Sequence, residues 1–286
     1  MLENPIIFAA LICFFLGLAL SCFARVVPGP AFASVVIPII FLASYVLTYQ
    51  QVPDFPPIGA TNKIFYVSLA AALVGFTLDL LLRPVNYRRP LAVIMPLLIV
   101  AWIGFPRFAN SDFELIATAL GLWLGGTVLL LRLDIVATTP AERNGGSVVG
   151  TAMLMALMVA FAPIALLGGS STSLMLCLVT VAGLVAVALW ELILPRNAFG
   201  ASAVFGVGGG LLAMIDTVTL ITRHVDLAAL ALLLLIPFAG EVGARLLLPL
   251  KRFRGRVRQV LVGTLSALPV LLVVAVLFLR HSESLS

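Results

Sequence analysis

The chain is a succession of uncharged apolar runs, each about as long as one membrane crossing. LAALALLLLIPFAG at 227–240 and LPVLLVVAVLFL at 268–279 are typical. A bilayer core about 30 Å thick takes about 20 residues of helix at about 1.5 Å each. In lipid, every backbone N–H and C=O must find its partner within a helix or a closed barrel. Barrel strands alternate apolar and polar residues over short segments, and these runs do not alternate. Composition agrees: 62% of the 286 residues are hydrophobic, 10% are charged and the mean hydropathy is +1.21. Soluble domains carry about 25% charged residues. The fold class is therefore all-α: a polytopic helical membrane protein with about ten transmembrane helices arranged as hairpins with short loops.

The pattern predicts helices over 5–25, 31–49, 63–82, 90–106, 113–133, 146–167, 172–194, 199–222, 227–249 and 259–279. Turn chemistry separates them, as in VVPGPA, QQVPDFPPIGATNK, RPVNYRRP and TTPAERNGG. Residues 1–286 read as a single transmembrane domain with no soluble domain. The segments 63–106 and 227–279 echo one another weakly. Each has a helix ending in an acid, an Arg and a Pro before a basic turn.

The basic residues give an orientation. Arg25, Arg83, Arg88, Arg89, Arg132, Arg143, Arg196, Arg245, Lys251, Arg252, Arg254, Arg256 and Arg258 fall at one end of the hairpins. Lys63, Arg107, Arg223 and Arg280 fall at the other. Thirteen of the seventeen Lys and Arg on one side is the asymmetry of cytoplasmic loops. The expected placement is the plasma (bacterial inner) membrane, multi-pass, with both termini outside. The positive net charge follows from this sidedness, so no nucleic-acid partner is inferred. The expected partner is the lipid bilayer, with Lys251, Arg252, Arg254, Arg256 and Arg258 as candidates for holding anionic headgroups. Other membrane subunits are further candidate partners.

No catalytic constellation is visible. Neither His224 nor His281 lies within a predicted span. HExxH, GxSxG, Walker and dinucleotide-binding patterns are absent. Cys13, Cys22 and Cys177 lie in apolar runs without CxxC spacing, which points to small buried residues rather than disulfides or a metal. ALSC before Cys22 follows no basic leader, so the first run reads as a retained helix. The expectation is a non-enzyme with no cofactor and no metal.

Function should lie with ionisable groups inside the spans, because such groups pair, line cavities or carry transport. Asp79 with Arg83, and Glu241 with Arg245, are four apart and share a helix face. Together with Glu191 they suggest a polar vestibule at the basic end. Asp216 has no base within a turn. It follows Gly206, Gly208, Gly209 and Gly210, and Gly208, Gly209 and Gly210 are candidates for a break in the helix at membrane depth. Pro38, Pro96, Pro163, Pro237 and Pro269 are candidate kinks. Gly121 with Gly125, and Gly146 with Gly150, have the spacing of close helix contacts. Two functions fit: a small-solute or ion transporter or permease-like subunit, or a non-catalytic subunit that scaffolds a larger membrane complex. The first needs a polar cavity at mid-membrane, and the second needs only dry packing.

Overall fold

The computed structural model describes residues 5–27, 29–81, 87–108, 113–139, 147–194, 199–222, 225–246 and 256–283. All regular structure in them is helical. We number the helices α1 (Pro5–Val26), α2 (Pro30–Tyr49), α3 (Ala60–Leu81), α4 (Arg88–Phe108), α5 (Phe113–Thr138), α6 (Ser147–Leu167) and α7 (Ser171–Ile193). These are followed by α8 (Ala201–Thr217), α9 (Leu227–Leu233), α10 (Leu235–Leu246) and α11 (Arg256–Glu283). Nine described helical segments are long and apolar enough to cross a membrane. The chain is a polytopic integral membrane protein.

The expected ninth helix, 227–249, is divided. Pro237 has no N–H, and its ring crowds the carbonyl four residues earlier, that of Leu233. The helix parts at Leu234, whose N–H turns back to Ala231 O at 3.1 Å. Pro38, Pro96, Pro163 and Pro269 lie inside helices that continue past them. Helix starts and ends also differ from the expected ones. α5 runs to Thr138 and α4 begins at Arg88, so Asp134 and Arg88 are helical rather than loop residues.

Helix α8 is the axis of the bundle. Every residue from Ala201 to Asp216 is buried, with α2, α3, α4, α5 and α6 around it. Helices in lipid gain little from hydrophobic sequestration and associate through close packing and interhelical hydrogen bonds. The glycines serve that packing. A Cβ on Gly206 would lie 2.7 Å from Pro38 Cβ, one on Gly208 2.8 Å from Leu130 Cδ2, one on Gly209 2.5 Å from Met95 Cε and one on Gly210 2.5 Å from Phe41 Cε1. Four glycines thus admit α2, α4 and α5 to close approach. This corrects the expectation of a break at Gly208, Gly209 and Gly210: α8 is continuous there, because bare backbone allows close approach without unwinding. The regular helix gives way later, in a π-helical turn at Val218–Thr222. The run TVTLIT is rich in β-branched residues, which crowd a helix. The hydroxyl of Thr217 donates to Ala213 O at 2.7 Å, and that of Thr222 donates to Val218 O.

The alternating hairpins define two ends. One carries Arg25, Arg88 and the N-terminus of α8, and we call it the basic end. The other gathers Tyr45, Tyr49, Phe65 and Tyr66, with neighbouring ring centroids 4.4–5.5 Å apart. Such aromatic clusters suit the interface of a bilayer. Lys63 is buried there, donating to Trp102 O at 2.8 Å.

Candidate functional site

The candidate acids do not share one vestibule among the described residues. They fall in three separate places, two of them at opposite ends of α8.

The first is at the basic end. The N-cap residue of α8 is Gly200, which has no side chain to satisfy the first amides. Asp79 of α3 supplies the cap from outside. Its Oδ1 accepts from Ala201 N–H at 3.0 Å and from Arg88 Nη2 at 2.8 Å. Its Oδ2 accepts from Ser202 N–H at 3.0 Å, Ser202 Oγ at 3.1 Å and Ser34 Oγ at 2.7 Å. A carboxylate at a helix N-terminus is favoured by the unsatisfied amides and by the helix dipole. Gly200 is required, because a Cβ would stand 2.7 Å from Asp79 Oδ2. Arg88 also faces Asp134, with Nη1 3.5 Å from Oδ1, an ion pair at long range without hydrogen-bond geometry. One guanidinium therefore ties α3 and α5 to α4, and Asp79 ties α2 and α8 to the same point. This arrangement gives Asp79 a partner that the spacing in the sequence does not suggest. Arg83 lies outside the described residues, and the described partner is Arg88, the first residue of α4.

The second place is α7. Glu191 is buried and accepts a short hydrogen bond from the Ser147 hydroxyl of α6. The side chains of Glu241, Arg245, Arg256 and Arg258, and all of Lys251, Arg252 and Arg254, lie outside the described residues.

The third place is Asp216. It lies fifteen residues beyond Ala201, about 22 Å along the helix, and one residue before Thr217 ends the regular α-helix. It is 2% exposed. Among the described residues its carboxylate has no hydrogen-bond or ion-pair partner. It lines a cavity of about 440 Å³ between α5, α8 and α9, in the size range of small-molecule sites. Leu212 and Ile215 of α8, Leu230 of α9 and Leu157 of α6 form apolar walls. On α5 the wall includes bare backbone: a Cβ on Gly121 would meet nothing within 4 Å, and one on Gly125 only Leu234 Cδ1 at 3.7 Å. The expected close helix contact at Gly121 and Gly125 is thus replaced by open space. Gly126, the next residue, makes the tight contact instead, since a Cβ there would lie 3.0 Å from Pro96 Cβ. Gly146 lies outside the described residues, and Gly150 packs under the Phe199 ring.

Beyond the cavity towards the basic end, Arg132 of α5 stacks on Phe238 of α10, 4.0 Å from the ring centroid. Towards the aromatic end the cavity reaches exposed Glu114, and its rim between α5 and α9 carries the exposed residues Gly121 and Leu227. Ser34, Arg88, Asp134 and Ser202 do not stand out in the sequence as site residues. The signal for Asp134 is a helix extending five residues beyond its expected end. Among the described residues no three His, Cys, Asp or Glu gather as a metal site. No protein family and no curated protein matches the chain.

Proposed function

We propose that the chain is a permease-like transporter of a small solute or ion, acting without covalent chemistry. The observation that carries this reading is the Asp216 carboxylate, without a partner among the described residues, on the wall of a cavity of about 440 Å³ inside the membrane-spanning bundle. A buried charge without a partner is costly, and a bundle that only scaffolds has no use for it. The polar tie at the basic end and the open cavity towards the aromatic end have the form of a closed gate and an open one. In this account the protein lies in the plasma (bacterial inner) membrane. Its basic end faces the cytoplasm, as the distribution of Arg and Lys favours, and anionic lipid meets Lys251, Arg252, Arg254, Arg256 and Arg258.

Alternating exposure of one site to both sides tests this directly. In a chain whose three cysteines are replaced by alanine, Gly125→Cys places a thiol in the cavity with room to spare. Gly59→Cys and Tyr87→Cys mark the aromatic and basic ends. A small impermeant thiol reagent should reach the Gly59 position only from outside and the Tyr87 position only from the cytoplasm. It should reach the Gly125 position from both sides. Reaction at Gly125→Cys from one side alone would favour the scaffold, and exchanged labelling of the two markers would reverse the orientation.

A further inference from the structure

We propose that the cavity at Asp216 takes an organic cation with an apolar body, admitted sideways from the bilayer between α5 and α9. The inference rests on the permease reading for what the site is used for, and it names the chemical class of its occupant.

Three observations select this class. The first is charge. The ionisable groups lining the cavity among the described residues are Asp216, deep within it, and Glu114, exposed at its mouth. Both are acids, and no Lys or Arg lines it among the described residues. Arg107 of α4 is turned to Ile221 O at 3.3 Å, and Arg132 of α5 is stacked on Phe238. An anion would meet only repulsion here.

The second observation is the lining. A bare metal cation sheds its water only where several oxygen ligands replace it. Apart from the two carboxylates, the side-chain oxygen at this wall is that of Thr118, whose hydroxyl donates to Glu114 O at 2.9 Å. Leu212, Ile215 and Leu230 cannot coordinate an ion. They can bury an apolar body while Asp216 pairs with a positive head, and such a head needs one counter-charge rather than a coordination shell.

The third observation is the way in. Below the cavity α5 and α10 are joined by Arg132 and Phe238, but at the level of Gly121 the helices stand apart and the rim is exposed. The exposed residues that flank it, Leu120, Leu124 and Leu227, are apolar, as a surface turned to lipid would be. The missing side chains at Gly121 and Gly125 keep the passage wide.

The test is equilibrium binding to the full chain in lipid nanodiscs, with empty nanodiscs as the blank. The probes are phenyltrimethylammonium and its neutral isostere tert-butylbenzene. The wild-type chain should bind the cation at least about tenfold more tightly than the isostere, the scale of one charge-assisted contact. Asp216→Asn should erase that preference while keeping the neutral probe. Leu230→Trp, which fills the cavity, should remove both. Equal binding of the two probes by the wild type would overturn the proposal. So would a preference that survives Asp216→Asn, or binding unchanged by Leu230→Trp. Two-sided labelling at Gly125→Cys does not depend on any of these outcomes. If labelling is two-sided and binding shows no charge preference, the permease reading stands and the substrate class falls.

Discussion

Arg88→Met lowers the stability of the folded bundle by about 3–5 kcal/mol, the cost of leaving buried charge without its partner. The guanidinium is 13% exposed and stands between Asp79 and Asp134, whose side chains are 8% and 4% exposed. Removing it leaves two carboxylates in one low-dielectric region. Asp79 retains the amides of Ala201 and Ser202, but Asp134 Oδ1 has no hydrogen bond to fall back on. The comparison that isolates the charge is the triple variant Arg88→Met, Asp79→Asn, Asp134→Asn. It removes all three charges, at the cost of one helix-capping bond, because an amide has one acceptor oxygen where Asp79 has two, so it should recover part of the loss. Reversible unfolding in mixed detergent micelles measures both. A triple variant no more stable than the single one would show that packing of Arg88, not its charge, holds the site.

The second large effect separates two glycines that look alike in the sequence. Gly75→Ala should cost about 1–3 kcal/mol, the usual range for forcing extra volume into tight packing. The new methyl would lie 2.6 Å from the Ala201 carbonyl oxygen and 2.7 Å from Ser202 Cα. These are backbone atoms that no rotamer change can move, so α3 must separate from α8 where Asp79 caps it. Gly121→Ala meets nothing within 4 Å and should be neutral or stabilising by up to about 1 kcal/mol, from helix propensity. The same unfolding measurement applies. Equal losses at the two positions would contradict the placement of Gly121 on an open cavity wall.

The contrast between these glycines shows where the sequence stops being informative. Apolar runs and basic turns specify the spans, because length and charge act locally and lipid tolerates few alternatives. They also single out Asp216, because an acid inside an apolar run is conspicuous. They do not reveal which neighbour a glycine faces. Gly75 meets backbone, Gly210 meets the Phe41 ring and Gly121 meets empty space, yet all three sit in similar apolar surroundings. Nor do they reveal pairings between distant helices. Asp79 is legible with Arg83, four residues on, because that spacing is local. Its described partners, Ser34, Arg88 and Ser202, come from three other helices and are brought together only by the packing around α8. The break at Leu234 is legible in kind, through Pro237. Pro38, Pro96, Pro163 and Pro269 carry the same signal in helices that remain continuous. The π turn after Asp216 has a signal in TVTLIT, but tertiary contacts decide whether such a run yields.

In the permease reading, the cavity at Asp216 is open towards the aromatic end while the tie at Arg88 closes the basic end, and the two exchange during a cycle. The most direct test is the distance between spin labels at Leu120→Cys on α5 and Leu227→Cys on α9, in the cysteine-free chain in liposomes. Both positions are exposed and flank the cleft. Two distance populations are expected. Asp134→Asn frees α5 from Arg88 while leaving the Asp79 pair, so it should raise the share of the shorter one. A single distance, unchanged by Asp134→Asn, would contradict an opening and closing cavity.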